Sequence, residues 1–395
     1  MRKLVVLVLA LVALPACLLA ADAPSYKLGT ITFEGYGEIT GLQYYSRFFG
    51  HDAAVDRDFT SGAEAYDYSA HLIYDTATQQ YRLYSGGRWL RPGEGDGDHV
   101  LQHVSKLGEP GSFKMPYDRP EFLNGEEEGE KDVWYAHNCL EPEVLRVGDT
   151  YYMYTQVMIV PGQILPQGDV VAEVGADRIQ LFTSKDGNNW ERFKERDVVI
   201  NVDDPAHSFL HHQEALYVPW DADGKPWWLY IGLNDSTGWK GYFRVRSADP
   251  KTYDWSTREP APGFSQLGNQ LAYCRQAPGG PLFVRISFTK DPLVDRQVPT
   301  LQFSRDGLQW SHGAPGQVVL LAGSTNEDKN RNCYFLGLST LDGTGELEYL
   351  GDDTYRALYV PTTSNTPVAM EIFLAEIGLG EVIFKLNTIK EEEAR

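Results

Sequence analysis

The chain has 395 residues, with 35 Lys and Arg against 55 Asp and Glu and a formal net charge of −20. An acid excess of this size excludes nucleic acid and anionic membrane surfaces as partners, and it suits a substrate that is neutral or met locally by arginines. The length allows one large domain or two smaller ones.

The chain begins with a basic pair, Arg2 and Lys3. An apolar run from Leu4 to Leu14 and the small residues around Ala20 to Ala23 follow. This is the layout of a secretory signal peptide, assigned to residues 1–21, and it is too short for a membrane span. Leu14-Pro15-Ala16-Cys17 partly resembles a lipobox, so anchoring through Cys17 is the minor alternative to a secreted or periplasmic protein. No later stretch is long and apolar enough to cross a bilayer as a helix. Without Cys17 the cysteines are Cys139, Cys274 and Cys333, an odd set that matches no zinc spacing.

From residue 24 to 390 the pattern is all-β: short runs rich in β-branched and aromatic residues, broken by Gly, Asp, Asn and Pro. A strand followed by an aromatic-rich partner recurs five times: HLIYD with YRLYSGG, EVLRV with YYMYTQ, ALYVPW with WWLYIG, QLAYC with LFVRISF, and CYFLGL with YRALYV. The spacing leaves room for a four-stranded sheet each time, which predicts a single five-bladed β-propeller domain. Two outer segments, FTSKDGNNW (Phe182 to Trp190) and FSRDGLQW (Phe303 to Trp310), share a serine, an Asp-Gly turn and a tryptophan; Ser247-Ala248-Asp249-Pro250 is a looser third copy. Tyr26 to Phe33 is expected to add a strand to the last blade and close the ring, and Glu391 to Glu393 reads as a solvated tail. Gly93 to Asp98 (GEGDGD) could hold calcium, although EF-hand spacing is missing; no other cofactor is indicated.

Residues just ahead of each inner strand sit at one mouth of a propeller channel. Aligning the hairpins places Ser69, Glu141 and Glu214 at equivalent mouth positions, with Pro142 stiffening the chain after Glu141. Two carboxylates in one cleft can be split in pKa into an acid and a base, which is the equipment for cleaving a glycosidic bond. His71, His137 and the pair His211-His212 lie near the same mouth and could orient hydroxyls or bind a metal. Arg88 could meet an acidic sugar, and Trp89, Trp134 and Trp239 are candidate stacking platforms. Loops over 93–129 and 161–176 are expected to shape the pocket.

The hairpin series, the Glu141-Pro142-Glu143-Val144 segment and the SKDGNNW strand resemble glycoside hydrolase family 43 and its relatives in families 32, 62 and 117. The resemblance covers most of the chain after the signal peptide. It implies a five-bladed propeller enzyme acting on plant or algal polysaccharides. In family 43 the first blade carries an Asp general base, the second an Asp that tunes pKa, and the third a Glu general acid. The resemblance therefore implies Glu214 as acid and Glu141 as the second carboxylate. The first blade departs from the pattern, with Ser69-Ala70 where an Asp-Pro is expected; Asp67, two residues earlier on an extended strand, could stand in. The WNDPN motif of family 32 is absent.

The reading that follows is a secreted glycoside hydrolase binding an oligo- or polysaccharide, with Glu214, Glu141 and Asp67 catalytic and His71, Arg88, His137, His212 and Trp89 binding substrate. The alternative is a propeller that binds glycan without cleaving it, which the serine at position 69 favours. A sialidase would carry a longer Asp box and an arginine triad, and neither is found. No feature points to a pure interaction scaffold. Oligomeric state, sugar and linkage are not encoded in these motifs.

Overall fold

A computed structural model describes residues 31–33, 37–39, 44–49, 66–89, 97–106, 138–159, 176–193, 197–264, 271–277, 279–291, 296–310, 332–340, 342–351, 354–366 and 369–378. The signal peptide at residues 1–21, the GEGDGD turn up to Asp96, His137, Trp134 and the acidic tail lie outside the described residues. Among the described residues the chain is β-structure apart from one short 3-10 turn at Trp255–Thr257, and no helix is long and apolar enough to cross a membrane.

The strands form a five-bladed propeller. The first blade holds Tyr66–Asp75, Gln80–Trp89 and Gly97–Ser105. The second holds Asn138–Val147, Thr150–Ile159 and Ala176–Ser184, with the short Glu191–Arg192 outside them. The third holds Phe209–Tyr217, Trp227–Asp235, Gly238–Ser247 and Glu259–Pro260. The fourth shows Leu271–Cys274, Leu282–Asp291 and Arg296–Ser304. In the fifth, Asn332–Ser339, Thr354–Thr366 and Ala369–Gly378 are completed by Tyr44–Phe49, a strand from near the start of the chain.

That last pairing closes the ring, and it corrects the expectation that Tyr26 to Phe33 would do so. Ile31–Phe33 instead makes a small hairpin with Gly37–Ile39. A strand of three residues is too short to cover a blade edge, whereas the six of Tyr44–Phe49 (YYSRFF), four of them aromatic, pair from Ile372 to Ile377.

Apolar side chains pack between blades. Tyr84 and Ile73 meet Val144, Met153 and Phe182 between the first and second blades; Tyr154 and Leu181 meet Leu229 and Trp255 between the second and third; Tyr230 and Trp228 meet Phe283 and Trp310 between the third and fourth. The Asp-Gly turns lock the same boundaries. Asp186 accepts the backbone N–H groups of Asn188 and Asn189, and Asp306 those of Leu308 and Gln309. Gly187 and Gly307 both adopt φ 69°, which only glycine holds without strain. Each turn then offers a carbonyl to a tyrosine of the preceding blade: Tyr84 Oη donates to Gly187 O at 2.8 Å and Tyr230 Oη to Gly307 O at 2.8 Å. Tyr154 Oη donates to Pro250 O at 3.1 Å, so the Ser247 to Pro250 segment plays the same part.

One segment fixes which end of the channel is open. After the inner strand of the fifth blade, residues 342–347 run across the far ends of the other inner strands. Gly343 O accepts Arg146 N–H at 2.8 Å, Gly345 O accepts Tyr273 N–H at 2.8 Å, and a Cβ on Gly343 or Gly345 would lie 2.8 Å from Ile73 or Leu216. Four blades are thereby tied under one loop, whereas among the described residues no segment crosses the opposite, open end, where the inner strands begin.

Candidate functional site

The inner strands of the first three blades share one irregularity at that open end. Tyr68 pairs with Gly86 and His71 with Tyr84; Leu140 with Gln156 and Glu143 with Tyr154; His211 with Gly232 and Glu214 with Tyr230. Each time two inner-strand residues face one partner residue, which is a β-bulge, a device that re-aims side chains. The bulges align Ser69 with Glu141 and His212, and align His71 with Glu143 and Glu214. The expected equivalence of Ser69, Glu141 and Glu214 is therefore corrected: Glu214 sits one step deeper, level with Glu143. The offset is two residues, which keeps the alternation of faces, so a period of two cannot reveal it.

The bulge residues carry strain. Glu141 has φ 53° and His212 has φ 51°. Non-glycine residues in this region cost about 1–3 kcal/mol and persist where the surroundings enforce them. Pro142, which follows Glu141, has no N–H to leave unpaired at the bulge. The two strained residues meet: His212 Nδ1 lies 2.8 Å from Glu141 Oε1. Gln213 Nε2 donates to the Glu141 carbonyl, His212 N–H donates to Gln156 Oε1 at 3.2 Å, and Gln156 Nε2 donates to Asp177 Oδ2 at 2.8 Å. Glu141 Oε2 and Asp177 Oδ1 are buried without a hydrogen-bond partner. The His212 side chain is 16% exposed and that of Glu141 3%.

The electrostatics follow from burial and from this pair. Burial pulls the His212 ring down, but Glu141, joined by Asp177 and Glu214, more than offsets it, so its pKa ends above the ordinary histidine value. Burial, reinforced by Glu141, pushes Asp177 up to about 7. Burial lowers His211 to about 4, helped by the neighbouring His212.

One level deeper lies a second cluster. Arg285 grips Glu214 through both oxygens, Nε to Oε2 at 3.2 Å and Nη2 to Oε1, and both side chains are 0% exposed. Arg285 also donates to Gln302 Oε1 at 2.8 Å, and its guanidinium lies 3.9 Å from the Phe264 ring centroid. Burial pushes Glu214 up to about 7 against the opposing pull of Arg285. Burial, and then the Glu214 charge, raise Glu143 well above the ordinary carboxylate value. His71 accepts the Val144 N–H at Nδ1, 3.4 Å away, and burial lowers it to about 3, so it is a neutral ring.

The other expected site residues fall as follows. Asp67 pairs with Gly87, the register position that Cys139 holds in the second blade and Leu210 in the third. Both of those are core residues. The Asp67 side chain lies outside the described part, as do those of Ser69, Arg88 and Trp89; the last two occupy the open end of the first blade, paired with Tyr66 and Gly97. Cys139 and Cys274 are buried free thiols, raised by burial to about 12 and above the ordinary range, which suits an inert packing role. Among the described residues no group of His, Cys, Asp and Glu could hold a metal ion. Asp177, Glu143 and Arg285 were missed by sequence reasoning. A single charged residue inside a strand of β-formers, as in VRISF for Arg285, was the signal available.

No protein-family model matches this chain. No curated protein matches it either. Solved structures do. A family 117 glycoside hydrolase from the marine bacterium Zobellia galactanivorans is 12% identical and superposes with a TM-score of 0.53, over 85% of this chain and 90% of that one. A family 62 hydrolase solved with xylotriose is 11% identical, with a TM-score of 0.49 over 84% of this chain and 97% of that one. A family 43 protein from Bacillus licheniformis is 10% identical, with a TM-score of 0.48 over 83% and 54%. With the family 117 enzyme the chain thus shares its fold, the five-bladed propeller.

Proposed function

We propose that the protein is a secreted glycoside hydrolase that cleaves a glycosidic bond of a plant or algal polysaccharide by acid/base catalysis at the open end of the propeller. The observation that carries this reading is the Glu141–His212 pair. Two residues on neighbouring blades are held in strained backbone conformations, bonded to each other at 2.8 Å, and placed at the mouth of a channel closed at its other end. Strain of this sort is kept where it has a task.

The roles follow from the geometry. His212, whose protonated form Glu141 favours, is the general acid that protonates the leaving oxygen. Glu141 orients the ring and supports its charge. A water-activating base needs a carboxylate oxygen that no protein donor occupies; Glu141 Oε2 and Asp177 Oδ1 are both of this kind. Glu214, the acid implied by the family 43 resemblance, has both oxygens engaged by Arg285, so its part is to position the site. Asp67 is the weakest of the catalytic candidates, because its register position belongs to the core in the neighbouring blades.

The test is sugar release from a panel of plant and algal polysaccharides by wild type, His212→Gln, Glu141→Gln and Asp177→Asn. Loss of a general acid or base costs about 10²- to 10⁴-fold. A His212→Gln protein that still releases sugar at the wild-type rate sinks the assignment. A second reading, glycan binding without cleavage, is favoured by Ser69, which places no carboxylate at the first-blade bulge. Binding with no release by wild type establishes it.

A further inference from the structure

Trp239 has no part in the mechanism above, and its placement is unusual. Trp239 (45% exposed) and Ile200 (42%) are the exposed large hydrophobic side chains among the described residues, whereas Trp227, Trp228, Trp255 and Trp310 are buried. Trp239 sits where the third strand of the third blade begins, paired with Asn234 at the open end of the channel. A bulge between Leu233 and Asn234 re-aims it.

The indole is held in place. A Cβ on Gly232 would lie 2.6 Å from Trp239 Cη2 and 3.0 Å from Cζ3, so the benzo edge rests in a notch that only glycine leaves open. His211 and Tyr242 meet the ring edge-to-face, with centroids 5.5 Å and 5.4 Å away. Beside it, His211 Nε2 is buried without a hydrogen-bond partner, as is Oδ1 of Asn234, the residue paired with Trp239. From His211 the chain of contacts continues: the His211 and His212 rings lie 4.5 Å apart, 30° from parallel, and His212 bonds Glu141.

We infer that Trp239 is the platform for a second sugar ring, next to the one handled by His212 and Glu141. Its ligand is an oligosaccharide of at least two units whose outer ring is a pyranose with an open C–H face. Such a face is apolar and flat enough to cover the exposed indole while its hydroxyls stay at the rim. Seated on Trp239, one ring places the bond to the next ring beside His212. The inference rests on the hydrolase reading for the position of that bond, but the platform can be tested by binding alone.

The experiment is titration calorimetry with xylo-, manno- and galacto-oligosaccharides of one to four units. The proteins are wild type, Trp239→Ala, Trp239→Phe and Gly232→Ala. In a series that wild type binds, affinity rises from one unit to two. That step falls roughly fivefold to tenfold in Trp239→Ala, is largely kept in Trp239→Phe, and falls in Gly232→Ala because the new methyl displaces the indole. An unchanged step in Trp239→Ala, or a wild type that binds one unit as tightly as two, overturns the platform and leaves the hydrolase reading standing. A wild type that binds no member of any series overturns both. Sugar release lost in His212→Gln while the Trp239 step persists supports the platform independently of the mechanism.

Discussion

Arg285 of the fourth blade closes on both carboxylate oxygens of Glu214 of the third, with both side chains fully buried. The position is otherwise apolar. Two residues on from the partners of Ser105, Ser184, Ser247 and Ser304, the second strands carry Leu83, Met153, Leu229 and Arg285 in turn. A cation has therefore replaced a core residue at one blade boundary, and Glu214 is its counter-ion.

Removing one partner leaves the other buried and uncompensated, at about 3–5 kcal/mol. Arg285→Met alone is expected to lose that much stability in urea unfolding, and Glu214→Gln somewhat less because an amide still accepts one N–H. Combining Arg285→Met with Glu214→Leu is expected to recover most of the loss. Losses that simply add in the double variant would mean that the two side chains do not stabilise one another.

The inter-blade turns give a second expectation. Tyr84→Phe and Tyr230→Phe each delete one hydrogen bond to a turn carbonyl, at about 1 kcal/mol. The carbonyls are not orphaned, because Gln102 Nε2 also donates to Gly187 O at 2.8 Å and Trp310 Nε1 to Gly307 O at 3.2 Å. The two sites lie at different blade boundaries, so their costs should add. A thermal or urea series on both single variants and the pair checks this; a cost near 3 kcal/mol for either would mean that the turn itself had come loose.

Much of this was readable in advance, and the reasons differ by element. Blade number came from the recurrence of strand pairs, because each blade must rebuild the same half-buried surface. The turns came from Ser184-Lys185-Asp186-Gly187 and Ser304-Arg305-Asp306-Gly307, where local hydrogen bonding alone dictates the conformation. Glu141 was found because Pro142 marks it. In the sequence His212 is only one of several histidines, since nothing local says that a bulge turns it toward Glu141 seventy-one positions earlier. Register slips at bulges, and partners such as Arg285 that arrive from another blade, depend on tertiary pairing. Tyr26 to Phe33 lost to Tyr44–Phe49 for the same reason: closing the ring depends on fit to the edge of the fifth blade, not on being early in the chain.

Proton uptake on folding gives a third expectation. Asp177 is raised in the folded protein from 3.8 to about 7. The folded state thus keeps a proton that the unfolded state has released, so this group's contribution is fully present below about pH 4 and is lost as pH rises toward 7. His71, lowered to about 3 from 6.5, has the opposite sign: its contribution is present above pH 6.5 and is lost as pH falls toward 3. Because the two oppose, variants are compared with wild type at each pH. Between pH 4 and 7 wild type should lose stability relative to Asp177→Asn by up to about 1.4 kcal/mol per pH unit. Relative to His71→Gln, wild type should gain as pH rises over pH 3 to 6.5. A pH-independent difference for Asp177→Asn would show that Asp177 is ionised in the folded protein.

The last expectation concerns activity. If His212 is the acid, kcat/KM must fall as pH rises through its pKa, because only the protonated ring can donate. Burial lowers that pKa and Glu141 raises it, with Asp177 and Glu214 adding to the upward pull. Glu141→Gln removes the largest upward contribution while keeping a hydrogen-bond acceptor at Nδ1. The basic limb of the kcat/KM profile should therefore move to lower pH, and activity at a pH well below the limb should recover part of the loss. Asp177→Asn should move the limb the same way by less, since it acts through its charge alone. A limb that stays in place in Glu141→Gln while activity drops equally at every pH would make Glu141 the base and remove His212 from proton transfer. The bond at 2.8 Å would then serve only to hold the bulges of two blades together.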